Sequence, residues 1–272
     1  VHYRSRTLIV TNLEYDHADI FDDMSAIRRQ FHHLVRTVPG NGKIIAWADS
    51  AQIDRVLASG CWTPVERYAV AGADWTVKGG AGQLTIAHGD ARASGAFQWP
   101  GTHNRLNALA ACAAAHAIGV PLALSLDALG KWQGVRRRLE KLGVRRGVTV
   151  YDDFAHHPTE IAATLEALRS SIGNARLVAV FEPRSNSMKA GVHSTNLAAS
   201  FAHADSAYVF RSPDVQWDLD AALEHAPIDI ATAASLDDLL ARLVAEAEEG
   251  DHVVVMSNGS FGGLPHRLLD EL

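Results

Sequence analysis

Asp152-Asp153-Phe154-Ala155-His156-His157-Pro158-Thr159-Glu160 crowds three carboxylates and two imidazoles into nine residues. A short apolar run, Val148-Thr149-Val150-Tyr151, precedes it and reads as a buried strand. Ile161, Leu165, Leu168 and Ile172 follow at helical spacing. Pro158 suits the first helical turn, where its missing N–H costs nothing, and Gly173 suits the residue beyond the end. The acids and imidazoles therefore sit at a strand-to-helix turn, at the positive end of a helix dipole. α/β proteins hold phosphate, nucleotide or metal at such turns. A second reading also fits, in which His157 and Thr159 cap the helix and the two aspartates face water.

Four further groups of side chains could join that chemistry. Glu14, Asp16, His17 and Asp19 follow the apolar run Thr7–Thr11 and offer oxygen and imidazole ligands for Mg2+ or Mn2+. They equally fit a solvated acidic loop. Asn104 and Asn107 are three apart near a helix start and share a face, where amides could read donor and acceptor together on an adenine edge. Asn104 could also serve as a cap. Arg136-Arg137-Arg138 offers planar forks suited to phosphate, or forms a basic turn in water. The loops Glu182–Lys189 and Ser257–Gly263 close two more strands. In a parallel sheet both must open on the same rim as Asp152–His157.

The elements that position these groups predict an α/β protein. Residues 1–145 read as a mostly parallel sheet, with strands Thr7–Thr11 and Ile44–Trp47 and an amphipathic helix carrying Met24, Ile27, Phe31, Leu34, Val35 and Val38. A small antiparallel sheet is expected between about Arg67 and Trp99, with Gly79-Gly80-Ala81-Gly82 as one of its turns. Its tryptophans read as packing, and His32 and His33 as structural. Residues 146–272 alternate strand and helix, giving a Rossmann-like domain with Ser235 capping a helix from Leu236.

The totals narrow the class further. A chain of 272 residues has room for two domains. A net charge of −6 argues against a nucleic-acid partner, which demands a basic face. No apolar run is long enough for a membrane span. Cys61 and Cys112 are too few and too far apart for a disulfide or zinc framework, so they read as reduced thiols of a cytoplasmic protein. Because the chain opens on Val1 and runs almost at once into a strand, it reads as the C-terminal piece of a longer protein.

Four ordered motifs resemble the Mur ligases, the ATP-dependent amide-forming enzymes of peptidoglycan synthesis. They are Asn12–Asp19, Gly101–Ala108, Arg137–Glu140 and Asp152–Pro158, and they span nearly the whole chain. The resemblance implies a truncated central ATP-binding domain over 1–145 and a complete C-terminal domain over 146–272. It implies ATP and Mg2+ as cofactors and activation of a carboxylate as an acyl phosphate. By similarity His17 ligates the second Mg2+, Asn104 and Asn107 face the adenine, and Asp153 faces the ribose. Arg138 and His156 reach the phosphates or the acyl phosphate. His157, Arg184, Ser185, Asn186, Lys189, Ser257 and Asn258 would meet the incoming peptide, Arg184 and Lys189 pairing with its carboxylates. The 182–189 and 256–263 loops look like the branch that recycles murein tripeptide. That branch joins L-alanyl-γ-D-glutamyl-meso-diaminopimelate to UDP-N-acetylmuramate. The alternative is the branch adding L-alanine to the same sugar nucleotide, which carries arginines where this chain has Ser185 and Met188.

Two departures bear on activity. The family's phosphate loop, its UDP-binding N-terminal domain and the glutamate bridging its metals would all lie upstream of Val1, so this piece by itself is expected to be inactive. No lysine precedes Lys43, so the carbamoylated lysine of several relatives has no counterpart. A metal-dependent hydrolase built on Asp16, His17, Asp19, His156 and His157 is the rival from another class. A binding module without catalysis is a third reading.

Overall fold

In the computed structural model, which describes residues 2–80 and 82–272, the chain divides into two units, Val1–Gln133 and Gly134–Leu272. The first is built on one sheet laid down in chain order. Its strands are β1 (Thr7–Val10), β2 (Lys43–Trp47), β3 (Val65–Ala69), β4 (Trp75–Gly80), β5 (Gly82–His88) and β6 (Ala91–Phe97). β1 to β4 are parallel and β5 and β6 antiparallel, so the small antiparallel sheet expected from the hairpin pattern continues the parallel one. Ala81, in the glycine-rich turn expected between β4 and β5, lies outside the described residues, as does Val1. β3 escapes a reading by hydropathy because two of its five residues are charged. The structure gives each a partner: Glu66 takes Lys43 and the Trp75 indole N–H, and Arg67 takes Asp54.

Helices α1 (Met24–Val35), α2 (Ala51–Ala58), α3 (Thr102–Ala117) and α4 (Leu122–Lys131) pack on this sheet. The Asp23 carboxylate caps α1 by accepting from the Ala26 N–H, and Ser50 caps α2. Ile27, Val35 and Val38 are buried, as the helical stripe predicts. His32 lies against the Gly60 carbonyl and His33 is exposed, in keeping with structural roles. Trp75, Val77, Leu84, Ile86 and Phe97 form the core against Ala108, Leu109, Cys112 and Ala113 of α3. The small side chains of α3 let its backbone approach the sheet. Both cysteines are free, and burial pushes the Cys112 thiol up to about 12.

The second unit carries β7 (Glu140–Arg145), β8 (Val148–Asp153), α5 (Pro158–Ile172), β9 (Leu177–Phe181), α6 (Asn186–Lys189) and α7 (Ser194–Leu197). It continues with β10 (Ser206–Phe210), α8 (Leu219–Leu223), β11 (Asp229–Ala233), α9 (Leu236–Glu246), β12 (His252–Met256) and α10 (Leu264–Glu271). The strand order is β11-β10-β9-β12-β8-β7, parallel except for β7. The units part at Gln133/Gly134 and not at the expected 145/146, because β7 pairs with β8 and belongs to the second sheet. β9 is buried along its whole length, which is why it reads as an unbroken apolar run. Ser235 caps α9 and Gly173, at φ 62°, ends α5, both as read from the sequence.

Candidate functional site

Register fixes the rim. Met256 of β12 stands level with Asp153 of β8 on one side and Phe181 of β9 on the other. The segments leaving those strands therefore emerge side by side: Phe154–His157, Glu182–Lys189 and Ser257–Gly263. The expected convergence of three polar strand ends holds within this unit.

A tight turn from the 135–140 segment folds over the rim. Arg137 and Leu139 adopt left-handed φ of 57° and 50°, a conformation that costs a non-glycine residue about 1 kcal/mol or more. Its hydrogen bonds hold it there. The Arg137 N–H donates to Glu140, the Leu139 N–H to Asp153 Oδ2 at 2.6 Å, and the Phe154 N–H to the Arg137 carbonyl at 2.8 Å. The twist turns Arg137 inward. Its Nε meets Asp152 Oδ2 at 3.1 Å, and its Nη2 donates to the Ser257 and Gly259 carbonyls at 2.5 and 2.7 Å. Arg138 stays exposed, its guanidinium 5.3 Å from the Phe154 ring centre.

The two aspartates are scaffold first. Burial pushes both carboxyls up; Arg137 draws Asp152 back, and the Ala155 and Leu139 N–H groups draw back Asp153. Asp153, 4% exposed, accepts from Leu139 N, Ala155 N and Thr164 Oγ1. Three of about four acceptor positions on the carboxylate are thereby used. His157 caps α5, its Nδ1 accepting from the Thr159 N–H at 3.3 Å, and its ring lies edge-on to His193 at 4.4 Å. The capping reading of His157 is therefore right, whereas Asp152 and Asp153 do not face water.

His156 and Glu160 form a coupled pair. The His156 N–H donates to Glu160 Oε2 at 3.0 Å, and Nδ1 stands 3.1 Å from the same oxygen. Burial raises the Glu160 carboxyl, but the His156 bonds and charge outweigh it and hold it below the ordinary range. A depressed carboxylate adds stability above its unfolded value of about 4.3 and loses it as pH falls through the folded value. Glu160→Gln is therefore expected to cost stability near neutrality, with the gap to wild type closing below about pH 4 in urea titrations.

Around β9 and β12 the loops are tied to each other. Ser257 Oγ donates to Glu182 Oε2 at 2.5 Å and accepts from the Gly259 N–H at 2.9 Å. Ser257 is 1% exposed, so it shapes the expected peptide loop and offers no surface to a ligand. Asn258 Oδ1 is buried without a hydrogen-bond partner. Ser185 caps α6, and Asn186 is exposed. Arg184 is 48% exposed and only 3.7 Å from Glu182, whereas Lys189 is committed to Asp214 at 2.8 Å. Of the two cations expected to meet carboxylates, Arg184 is the more exposed. A cavity of about 190 Å3 lies behind this rim, lined by Arg137, Asp152, Ser257, Ser260, Phe261 and His266 among others.

In the first unit, His17 holds a left-handed φ of 54° in the loop after β1, and Asp16 lies 3.9 Å from its Nε2. Its side chain is 68% exposed. Among the described residues, no three His, Cys, Asp or Glu side chains converge to hold a metal by themselves. Mg2+ needs less from the protein, since it takes one or two ligands there and the rest from phosphates and water. His17 and Asp16 fit that limited role and do not supply the three protein ligands of a catalytic zinc site. The Asn104 amide donates to the Pro100 carbonyl at 2.7 Å, bracing the start of α3, and Asn107 is exposed on the same face.

Residues 3–115 match the family described as the Mur ligase middle domain, and residues 137–259 match the Mur ligase glutamate ligase domain. The chain belongs to the Mur ligases. It is 45% identical, over its whole length, to the UDP-N-acetylmuramate–L-alanyl-γ-D-glutamyl-meso-2,6-diaminoheptandioate ligase of Escherichia coli K12, and covers 60% of it. A murein peptide ligase from Psychrobacter arcticus 273-4 has the same fold, with a TM-score of 0.74 and 38% identity over 100% of this chain and 58% of that one. A UDP-N-acetylmuramate–L-alanine ligase of Mycolicibacterium vanbaalenii stands further off, at 33% identity over 100% of this chain and 61% of its own. The chain thus spans about 60% of the length of these curated relatives.

In this Mur ligase the sequence reading passed over Arg137, Glu182, Ser260 and His266 as site residues. Arg137 stands beside Arg138 in the same motif, and only the left-handed turn shows which of the two points inward. Glu182 opened a noted loop. His266, on α10, carried no signal in the sequence. Among the described residues, no helix is long and apolar enough to cross a membrane.

Proposed function

We propose that this chain is the nucleotide- and peptide-binding part of an ATP-dependent amide ligase. It would join L-alanyl-γ-D-glutamyl-meso-diaminopimelate to UDP-N-acetylmuramate in the cytoplasm, where peptidoglycan fragments are recycled. The observation that carries the reading is the rim itself. Arg138, Arg184, Asn186 and Asn258 border one parallel sheet end, in a chain closer to tripeptide ligases than to alanine ligases.

When bound, ATP with Mg2+ supplies the phosphoryl group that activates the muramyl carboxylate. Asn107, with the carbonyl oxygen of Asn104, would hold the adenine edge, and Asp153 would offer its remaining acceptor position to the ribose. His17 would ligate Mg2+ as neutral imidazole. Arg138, held over Phe154, and His156, oriented by Glu160, would neutralise charge on phosphate oxygens. Arg184 would take a peptide carboxylate, with Asn186 and Asn258 beside it on the rim. The unit ending at Gln133 would then serve ATP, and the unit from Gly134 the peptide and nucleotide. The phosphate loop and sugar-nucleotide domain belong to the part of the relatives that this chain does not span.

The deciding experiment gives the complete enzyme ATP and UDP-N-acetylmuramate, with either tripeptide or L-alanine. Tripeptide-dependent ADP release and amide formation are expected, and preference for L-alanine would overturn the assignment in favour of the alanine ligase. Product formed without ATP would point to hydrolysis instead. Asn107→Ala is expected to weaken ADP binding about tenfold by calorimetry, the scale of one or two lost hydrogen bonds.

A further inference from the structure

The loop from Arg184 to Lys189 contains only one short helical turn, α6, and a turn of four residues does not hold its own shape. Its shape is imposed by the segment between β10 and α8. Trp217 Nε1 donates to the Met188 carbonyl at 2.6 Å, the Gln216 N–H donates to the Lys189 carbonyl at 3.0 Å, and Asp214 holds the Lys189 ammonium at 2.8 Å. The Trp217 side chain also packs closely against the chain at Gly191. A Cβ there would stand 2.8 Å from Trp217 Cδ1, and the φ of 77° independently favours glycine. The strap is itself anchored: Asp218, the next residue, caps α8, and Trp217 packs on the core cluster that contains Met188 and Leu219.

These contacts all fall on residues 188–191, at the C-terminal end of the loop, where Met188 is buried. Arg184 and Asn186, at its other end, are exposed. We propose that Trp217 is a positioning residue, which fixes the Met188 carbonyl and thereby sets where Arg184 and Asn186 present themselves to the acceptor peptide. The proposal rests on the reading of 184–189 as a peptide loop. It adds that the Asp214–Trp217 segment controls peptide affinity through the loop it holds.

The test uses the complete enzyme as wild type, Trp217→Leu and Trp217→Phe. Amide hydrogen exchange at Lys189, Ala190 and Gly191 is measured beside the KM values for tripeptide and ATP. In Trp217→Leu, exchange at those amides is expected to quicken about tenfold and tripeptide KM to rise about tenfold, the scale of one lost hydrogen bond with its packing. ATP KM and kcat are expected to stay within about twofold. Trp217→Phe restores the ring over Gly191 without the N–H and should fall between. Unchanged exchange, or equal shifts in both KM values, overturns the proposal. Faster exchange with unmoved tripeptide KM also overturns it, and removes 184–189 from peptide recognition. L-alanine preference in the wild type sinks only the underlying reading, because the exchange result is independent of substrate.

Discussion

Arg137→Met is expected to destabilise the second unit by about 3 kcal/mol, the scale of a buried ion pair stripped of one partner. The change leaves Asp152, 8% exposed, without its cation. It also removes the donor from the Ser257 and Gly259 carbonyls. Methionine fills the volume, so the loss isolates the polar contacts from any cavity. A fall in melting temperature of roughly 10 °C follows for a unit of this size. Trp217 is the one tryptophan in the sequence after Trp132, so the part of the emission change that Trp217→Phe abolishes reports this unit. Arg137→Lys keeps the charge but not the fork that reaches three oxygens, and should recover only part of the loss.

The same substitution carries a pH signature. Without Arg137, burial lifts the Asp152 carboxyl further above its unfolded value. A folded state with a raised carboxyl binds more protons than the unfolded chain, so its stability falls as pH climbs through that window. The gap between Arg137→Met and wild type should therefore widen from about pH 4 to pH 7. A gap that is flat across this range would mean that Asp152 never depended on Arg137.

What the sequence shows of this fold depends on burial. β8, β9 and β12 announce themselves as apolar runs because both faces of each are covered, and α5 and α9 by their caps. β7 and β11 are edge strands with polar residues, and β3 hides two charges in ion pairs, so none of the three has the hydropathy of a strand. The rim is legible for a topological reason: parallel neighbours end together. Its wiring is not. Glu182 and Ser257 are 75 residues apart and meet only because β12 inserts between β9 and β8. Which arginine of Arg137-Arg138 points inward is decided by two left-handed residues that no periodicity marks. Lys189 looked like a peptide ligand until the fold brought Asp214 to it.

Gly259→Ala is expected to raise the tripeptide KM of the complete enzyme by about 10- to 100-fold, the range of a lost charge-assisted hydrogen bond, while leaving stability almost unchanged. A Cβ at 259 would lie 2.2 Å from Arg184 Nε and 2.4 Å from its Cδ, far inside any tolerable contact. One side must move. The Gly259 backbone is held at both ends, its N–H by Ser257 Oγ and its carbonyl by Arg137, and Ser257 is in turn locked to Glu182. Arg184 is exposed, with the Glu182 carboxylate 3.7 Å away, so it swings into solvent at little cost. The guanidinium then no longer stands where the proposed function has the acceptor carboxylate arrive. Arg184→Ala should reproduce the defect, and the double variant should be no worse than either single change, because both remove the same interaction. Additive losses in the double variant, or a marked fall in melting temperature for Gly259→Ala, would show that Gly259 serves the loop's folding and not the placement of Arg184.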